Sequence, residues 1–286
     1  MAEDFLAAMA TSSRRRSAEA QALLPLATLE QSLQSLPPAP ALVLSSDGFD
    51  LIAEMKLRSP AVGQLKAAAE DDFEQRIAAY THGGAAAISV LTEPLRFDGA
   101  LEHLQRAAAL RLPRSLARAS GETQRVPIMR KDFLVDRYQI LEARVAGAGG
   151  VLLIVRMLDD LDLQALFDTA LDVGLFVLLE TFDEADVERA QRVIDRRRFA
   201  RGEVLIGVNS RDLVSLQVVP ERLESMVECL PRNLPRVAES GVATADDAAR
   251  LAAAGYELAL VGSALMRAAE PSALVSAMLQ AARAAQ

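Results

Sequence analysis

Tryptophan is absent from this 286-residue chain, cysteine occurs once and histidine twice. The single cysteine, Cys229, excludes an internal disulfide and a cysteine-built metal site. Its expected role is that of a small apolar residue buried on a helix. No metal-ligand spacing and no nucleotide-binding glycine loop is present. No apolar run approaches the roughly 20 residues needed to span a membrane. The opening stretch "MAEDFLAAMATSSRRRSAEA" starts acidic and places its arginines late, unlike a secretory signal. A soluble cytoplasmic protein is the expectation. Net charge is −8, with arginines interspersed among acids, which argues against nucleic-acid binding but leaves room for a small anionic ligand. The runs Arg14–Arg16 and Arg196–Arg198 read as solvated faces. Lysine is scarce too: Lys56, Lys66 and Lys131 stand alone among 31 basic residues.

What is abundant is alanine, leucine and valine, in a composition that is 51% hydrophobic and ample for a large core. Short apolar runs recur at 51–56, 86–92, 126–132, 150–155, 174–180, 204–209, 236–240 and 258–262. Runs this short and this uniformly apolar suit parallel strands buried on both faces. Helical segments lie between them. In "DRYQILEARVAGAG", Ile140, Ala143, Arg144 and Gly147 fall near one line. "TADDAARLAAAG" opens on Thr244 as an N-cap and closes on Gly255. Strand then helix, eight times, predicts an α/β chain folded as a single (β/α)8 TIM barrel over residues 49–286. An open doubly wound sheet is the alternative, but no GxGxxG follows the first strand. Residues 1–48 precede the count. They read as a helical extension ending in the connector "PPAPA", capping one end of the barrel because they bury too little surface to fold alone.

The active site of such barrels gathers at the C-terminal strand ends. Those ends here are Glu54-Met55-Lys56, Lys131-Asp132-Phe133, Glu180, Asn209 with Arg211, Glu239-Ser240-Gly241 and Gly262-Ser263. Residues two apart in a strand share a face, so Glu54 and Lys56 point the same way. Placing so many charges in a lumen for stability alone is a poor strategy, because desolvation is costly. A guanidinium is always protonated, whereas an ammonium whose pKa is lowered can act as general acid or base. Lys56 and Lys131 therefore read as amines kept for titration. Gly241 and Gly262-Ser263 fall in the two loops that commonly cradle a phosphate with backbone N–H groups. His82 and His103 fall in inferred helices, away from these ends, as surface or helix residues.

The motifs "AEMKLRSP", "ISVLTEPLRFDG", "MRKDFLVDRYQILEARVAGAGGVLLIV", "LLETFDEADVERA", "IGVNSRDL" and "VAESGVAT…LVGSALM" closely resemble indole-3-glycerol phosphate synthase, from about Leu51 to the C-terminus. The resemblance implies a cofactor-free and metal-free barrel enzyme of tryptophan biosynthesis. Such an enzyme closes 1-(2-carboxyphenylamino)-1-deoxyribulose 5-phosphate to indole-3-glycerol phosphate, releasing CO2 and water. By the same resemblance Lys131 is the general acid, Glu180 the acid/base of later steps, and Glu54 with Lys56 completes the proton-transfer set. Which lysine protonates the carbonyl stays open. Ser59, Asn209 and Arg211 match residues that hold the substrate's carboxylate and polar groups, and Glu239 and Ser240 match residues of the seventh strand end. Phe133 matches an aromatic beside the ring, and Gly241, Gly262 and Ser263 match the phosphate cradle.

Three departures stand out: Ala61 where a serine is usual, Ala148-Gly149-Gly150 where Gly-Ala-Asp is common, and Ser210 where asparagine is common. The competing readings are a non-catalytic phosphate-ligand-binding barrel or another phosphate-binding barrel enzyme of the same pathway. The implied partner is a phosphorylated small molecule, with neither nucleic acid nor membrane, on a monomer or homodimer.

Overall fold

The computed structural model of the protein describes residues 5–59, 63–64, 72–115, 123–212 and 217–286. The apolar runs form parallel strands β1 (Asp50–Met55), β2 (Ala87–Leu91), β3 (Ile128–Lys131), β4 (Gly150–Ile154), β5 (Phe176–Thr181), β6 (Val204–Asn209), β7 (Arg236–Glu239) and β8 (Leu258–Val261). They close into a barrel in the order β1-β8-β7-β6-β5-β4-β3-β2. Ile52 marks the seam, standing opposite Leu260 on one side and Ala87 on the other.

Both faces of the strands are buried, which is why the runs read as continuously apolar. Leu51, Ala53 and Met55 pack outward under the helices, while Ile52 joins Met129, Leu152, Phe176, Leu178 and Val237 in the other cluster, which fills the barrel. The Ala148-Gly149-Gly150 departure has a packing cause. A methyl at Gly150 would overlap the Phe176 ring, and one at Gly149 would overlap the Pro40 carbonyl.

Helices between the strands follow their sequence signals. In Ala245–Ala254 the Thr244 hydroxyl accepts from Asp247 N at 3.1 Å, the Asp247 carboxylate accepts from Thr244 N at 3.0 Å, and Gly255 closes the helix at φ 109°. Two short antiparallel ladders, Arg58–Ser59 with Gly63–Gln64 and Pro113–Ser115 with Thr123–Arg125, lie in loops. Their two- and three-residue strands are too short to leave a periodic signal in the sequence.

Before β1 come helices α1 (Phe5–Leu23) and α2 (Leu26–Leu33). Leu29 of α2 packs with Tyr138 and Leu141 of the helix Arg137–Val145. The Tyr138 hydroxyl donates toward the Leu24 and Ala20 carbonyls at 3.0 and 3.2 Å, satisfying the end of α1. Gln139 Nε2 donates to Ser13 Oγ at 2.9 Å.

Cys229 corrects an expectation. It is exposed, in the one-turn 3-10 helix Val227–Cys229, because Val227 and Leu230 take the inward positions around it. His82 is exposed at the end of its helix, and His103 is buried on its helix with its ring 5.4 Å from Phe73. Among the described residues no helix is long and apolar enough to cross a membrane.

Candidate active site

At the C-terminal end of the barrel the strand-end residues converge on one cavity of about 280 Å³, near the lower bound of about 300 Å³ for ligand pockets. Glu54, Lys56, Lys131, Phe133, Glu180, Asn209, Arg211, Glu239, Ser240, Gly241, Gly262 and Ser263 all line it. Ser59 lies in the ladder at the mouth, and its side chain is outside the described residues, as is Ala61.

Lys131 is the hub. Its Nζ donates to Glu180 Oε2 at 3.0 Å and lies 3.4 Å from Glu239 Oε2. These three come from β3, β5 and β7, non-adjacent strands that only barrel closure brings together. Lys56 Nζ meets Glu54 Oε2 at 2.5 Å, as their shared face required. All three carboxylates are buried, Glu54 at 3%, Glu180 at 2% and Glu239 at 1% exposure.

Burial alone would lower the Lys131 ammonium, but Glu180, Glu239 and Glu54 outweigh it and hold the group well above the usual lysine range. This corrects the expectation of a lowered pKa, and the cause is that carboxylates face Nζ from three strands. Burial and then the Glu180 carboxylate push Glu239 well above the usual carboxyl range, with Lys131 opposing. One of its oxygens, Oε1, has no hydrogen-bond partner. For Glu54, burial acts upward, yet Lys56 and Lys131 bring it below its ordinary value. The site therefore combines a firmly charged ammonium, an ionised carboxylate at Glu54 and a carboxyl at Glu239 that favours its proton.

Across the cavity, Ser240 and Gly241 both adopt left-handed backbone, at φ 66° and 77°. The buried Ser210 hydroxyl donates toward the Ser240 carbonyl at 3.0 Å and steadies that turn, so the serine departure is accommodated. A Cβ at Gly241 would stand 2.9 Å from Val218 Cγ1. Gly262 is constrained differently, since a side chain there would overlap Glu54 Oε2 and lie 2.8 Å from Lys56 Nζ. Asn209 Oδ1 accepts from the Arg211 amide at 2.9 Å, which orders the strand-six loop.

Part of the wall comes from outside the strand ends. Phe5 of α1 stands edge-on to Phe133 at 5.8 Å and Phe97 lies 6.2 Å from it, so three of the chain's nine phenylalanines gather here. Arg267 also lines the cavity. Arg16, expected on a solvated face, instead makes a two-pronged ion pair with Asp132 at 2.8 and 3.0 Å. Asp132 also accepts from Thr92 Oγ1 at 2.6 Å, and although burial acts upward, Arg16, Arg130 and Thr92 hold its pKa down. The residue next to Lys131 is thus anchored to the N-terminal helix. The scarcity of aromatics was the available signal for Phe5; nothing local marked Arg16.

A family model described as indole-3-glycerol phosphate synthase matches residues 6–278. A protein of that name from Nocardioides sp. is 40% identical over 91% of this chain and 92% of its own length. The chain belongs to the indole-3-glycerol phosphate synthase family. Relatives with the same name from Koribacter versatilis, 40% identical over 81% of this chain and 80% of theirs, and from Mycobacterium leprae, 38% over 83% and 79%, agree. Two solved structures at low identity share the fold. The 3-hexulose-6-phosphate synthase of Salmonella typhimurium superposes with TM-score 0.59 at 14% identity, covering 83% of this chain and all of that one. The thiamine phosphate pyrophosphorylase of Pyrococcus furiosus gives 0.55 at 17%, covering 83% and 96%. Membership of the synthase family makes the chain a decarboxylating lyase of tryptophan biosynthesis acting on a phosphorylated small molecule.

Proposed function

We propose that this cavity closes 1-(2-carboxyphenylamino)-1-deoxyribulose 5-phosphate to indole-3-glycerol phosphate, with Lys131 as the proton donor to the carbonyl under attack. The observation that carries this reading is the half-buried Lys131, its Nζ held between the buried Glu180 and Glu239 in the cavity that also holds the Glu54–Lys56 pair. An ammonium with a raised pKa is a weak acid, but the carbonyl oxygen becomes an alkoxide as the ring carbon adds, and an alkoxide is basic enough to take its proton. Loss of CO2 from the ring carbon then restores aromaticity. Departure of the former carbonyl oxygen as water needs a second proton, which the Lys56 ammonium beside Glu54 can give, while the adjacent CH2 loses one to the Glu180 carboxylate as the ring double bond forms.

The substrate's other groups have assigned partners. Backbone at Gly241 and Gly262-Ser263 receives the phosphate, where glycine permits close approach and a short helix begins. Asn209, Arg211 and Ser59 hold the carboxylate and polar groups, Glu239 and Ser240 complete the strand-seven side, and Phe133 stacks near the ring. Residues 1–48 act as a cap on the 49–286 barrel, with Arg16 and Phe5 reaching the site. The enzyme works in the cytoplasm as a monomer or homodimer, without nucleic-acid or membrane partners.

The test is stoichiometric. Purified protein given the carboxyphenylamino substrate should release one CO2 per indole ring formed, and Lys131→Ala should abolish both. A protein that binds the substrate and returns it unchanged refutes the assignment and leaves only a phosphate-ligand binder.

A further inference from the structure

Gly207 sits inside β6, where glycine weakens a strand and usually marks a bulge or a close approach. It is absent from the glycines with positive φ, so backbone conformation does not call for it. Its register partners are Glu180 on β5 and Val237 on β7, so its missing side chain would project on the same face as theirs. A Cβ there would overlap Glu239 Oε1, lie 3.2 Å from Glu239 Cδ and 3.1 Å from Leu178 Cδ1.

Strand β7, which carries Glu239, is separated from β5, which carries Glu180, by β6. Glu239 must therefore lean across β6 to share Lys131 with Glu180. The space it leans through is the space above Gly207.

We propose that Gly207 is a positioning residue, whose absent side chain lets the Glu239 carboxyl cross strand β6 and reach Lys131. This rests on the reading of Glu239 as a site residue. Gly262, just past the end of β8, makes the same kind of room for Glu54, so two of the buried carboxylates lie over glycines.

Gly207→Ala should displace Glu239 by about a methyl radius, and misplacements of about 1 Å can cost on the order of 10²-fold in rate. The expected result is a fall of at least about tenfold in kcat, with phosphate-analogue affinity unchanged. The basic limb of the pH profile should also move to lower pH, because Lys131 loses a neighbouring carboxylate.

A double-mutant cycle with Glu239→Ala decides whether Gly207 acts through Glu239. In the Glu239→Ala background there is nothing left to displace, so adding Gly207→Ala should cost no further activity. Should Gly207→Ala alone fail to fold while the double variant folds, the clash is with Glu239 and the proposal stands. Multiplicative losses in kcat overturn it, with Glu239 keeping its place in the site. Failure of both variants to fold also overturns it, since the gap then serves Leu178 packing. A fully active Glu239→Ala overturns both this proposal and the site reading beneath it.

Discussion

Lys131→Arg separates a proton donor from a charge. The Lys131 side chain is 18% exposed and lies 3.0 Å from Glu180 and 3.4 Å from Glu239. A guanidinium there keeps both ion pairs, so no carboxylate is stranded. Fitting the larger planar head costs about 1–3 kcal/mol of stability, too little to unfold a domain with a typical ~5–15 kcal/mol in hand. What is lost is transfer, because guanidinium does not give up its proton and its fork places the N–H groups away from the Nζ position. Loss of a positioned general acid removes about 10²–10⁴-fold in rate, equivalent to about 2.7–5.4 kcal/mol of barrier. Single-turnover indole fluorescence, beside a thermal melt and titration with a phosphate analogue, measures the three effects separately. The expected outcome is kcat down within that range with melting and analogue binding close to wild type. A variant keeping most of its kcat, with chemistry shown to limit the rate, refutes the donor role and leaves Lys131 as an ion-pair partner.

Gly241→Val should raise KM for the phosphorylated substrate, since its backbone is left-handed and a Cβ meets Val218; unchanged affinity for simple phosphate esters places the phosphate elsewhere. Arg16→Ala should cost about 2–3 kcal/mol in thermal or denaturant unfolding, below the range for stranding a fully buried charge, because Thr92 and Arg130 still hold Asp132. A change under about 0.5 kcal/mol, the size of an ordinary surface substitution, would show that the pair does not anchor β3. Neighbouring carboxylates raise the Lys131 pKa, so the ammonium survives to higher pH than an ordinary lysine, whose value is about 10.4. The basic limb of kcat/KM due to Lys131 should lie above that value, Glu239→Gln should move it down, and a limb near pH 8 contradicts the assignment.

The barrel was legible because the strands are short and buried on both faces and some helices carry their own start and stop signals, as at Thr244 and Gly255. The site was legible to the extent that it sits at strand ends: a lysine at 131 in a chain that otherwise writes arginine is a local fact. The rest depends on closure. Lys131 has a raised pKa because β5, β7 and β1 each aim a carboxylate at it, which no stretch of β3 records. Arg16 finds Asp132 across 116 positions, and its neighbours Arg14 and Arg15 are exposed, so its run alone suggested a solvated face. Gly207 reads as an ordinary weak spot in a strand until Glu239 is seen lying over it.

Incubating the purified protein with 1-(2-carboxyphenylamino)-1-deoxyribulose 5-phosphate and following indole fluorescence tests the central claim most directly. Wild type should produce the indole signal with the phosphate retained on the product, and Glu180→Gln should bind the substrate yet produce it at a small fraction of the rate. A wild-type protein that binds the substrate without developing indole fluorescence, or a Glu180→Gln variant as fast as wild type, would contradict the account.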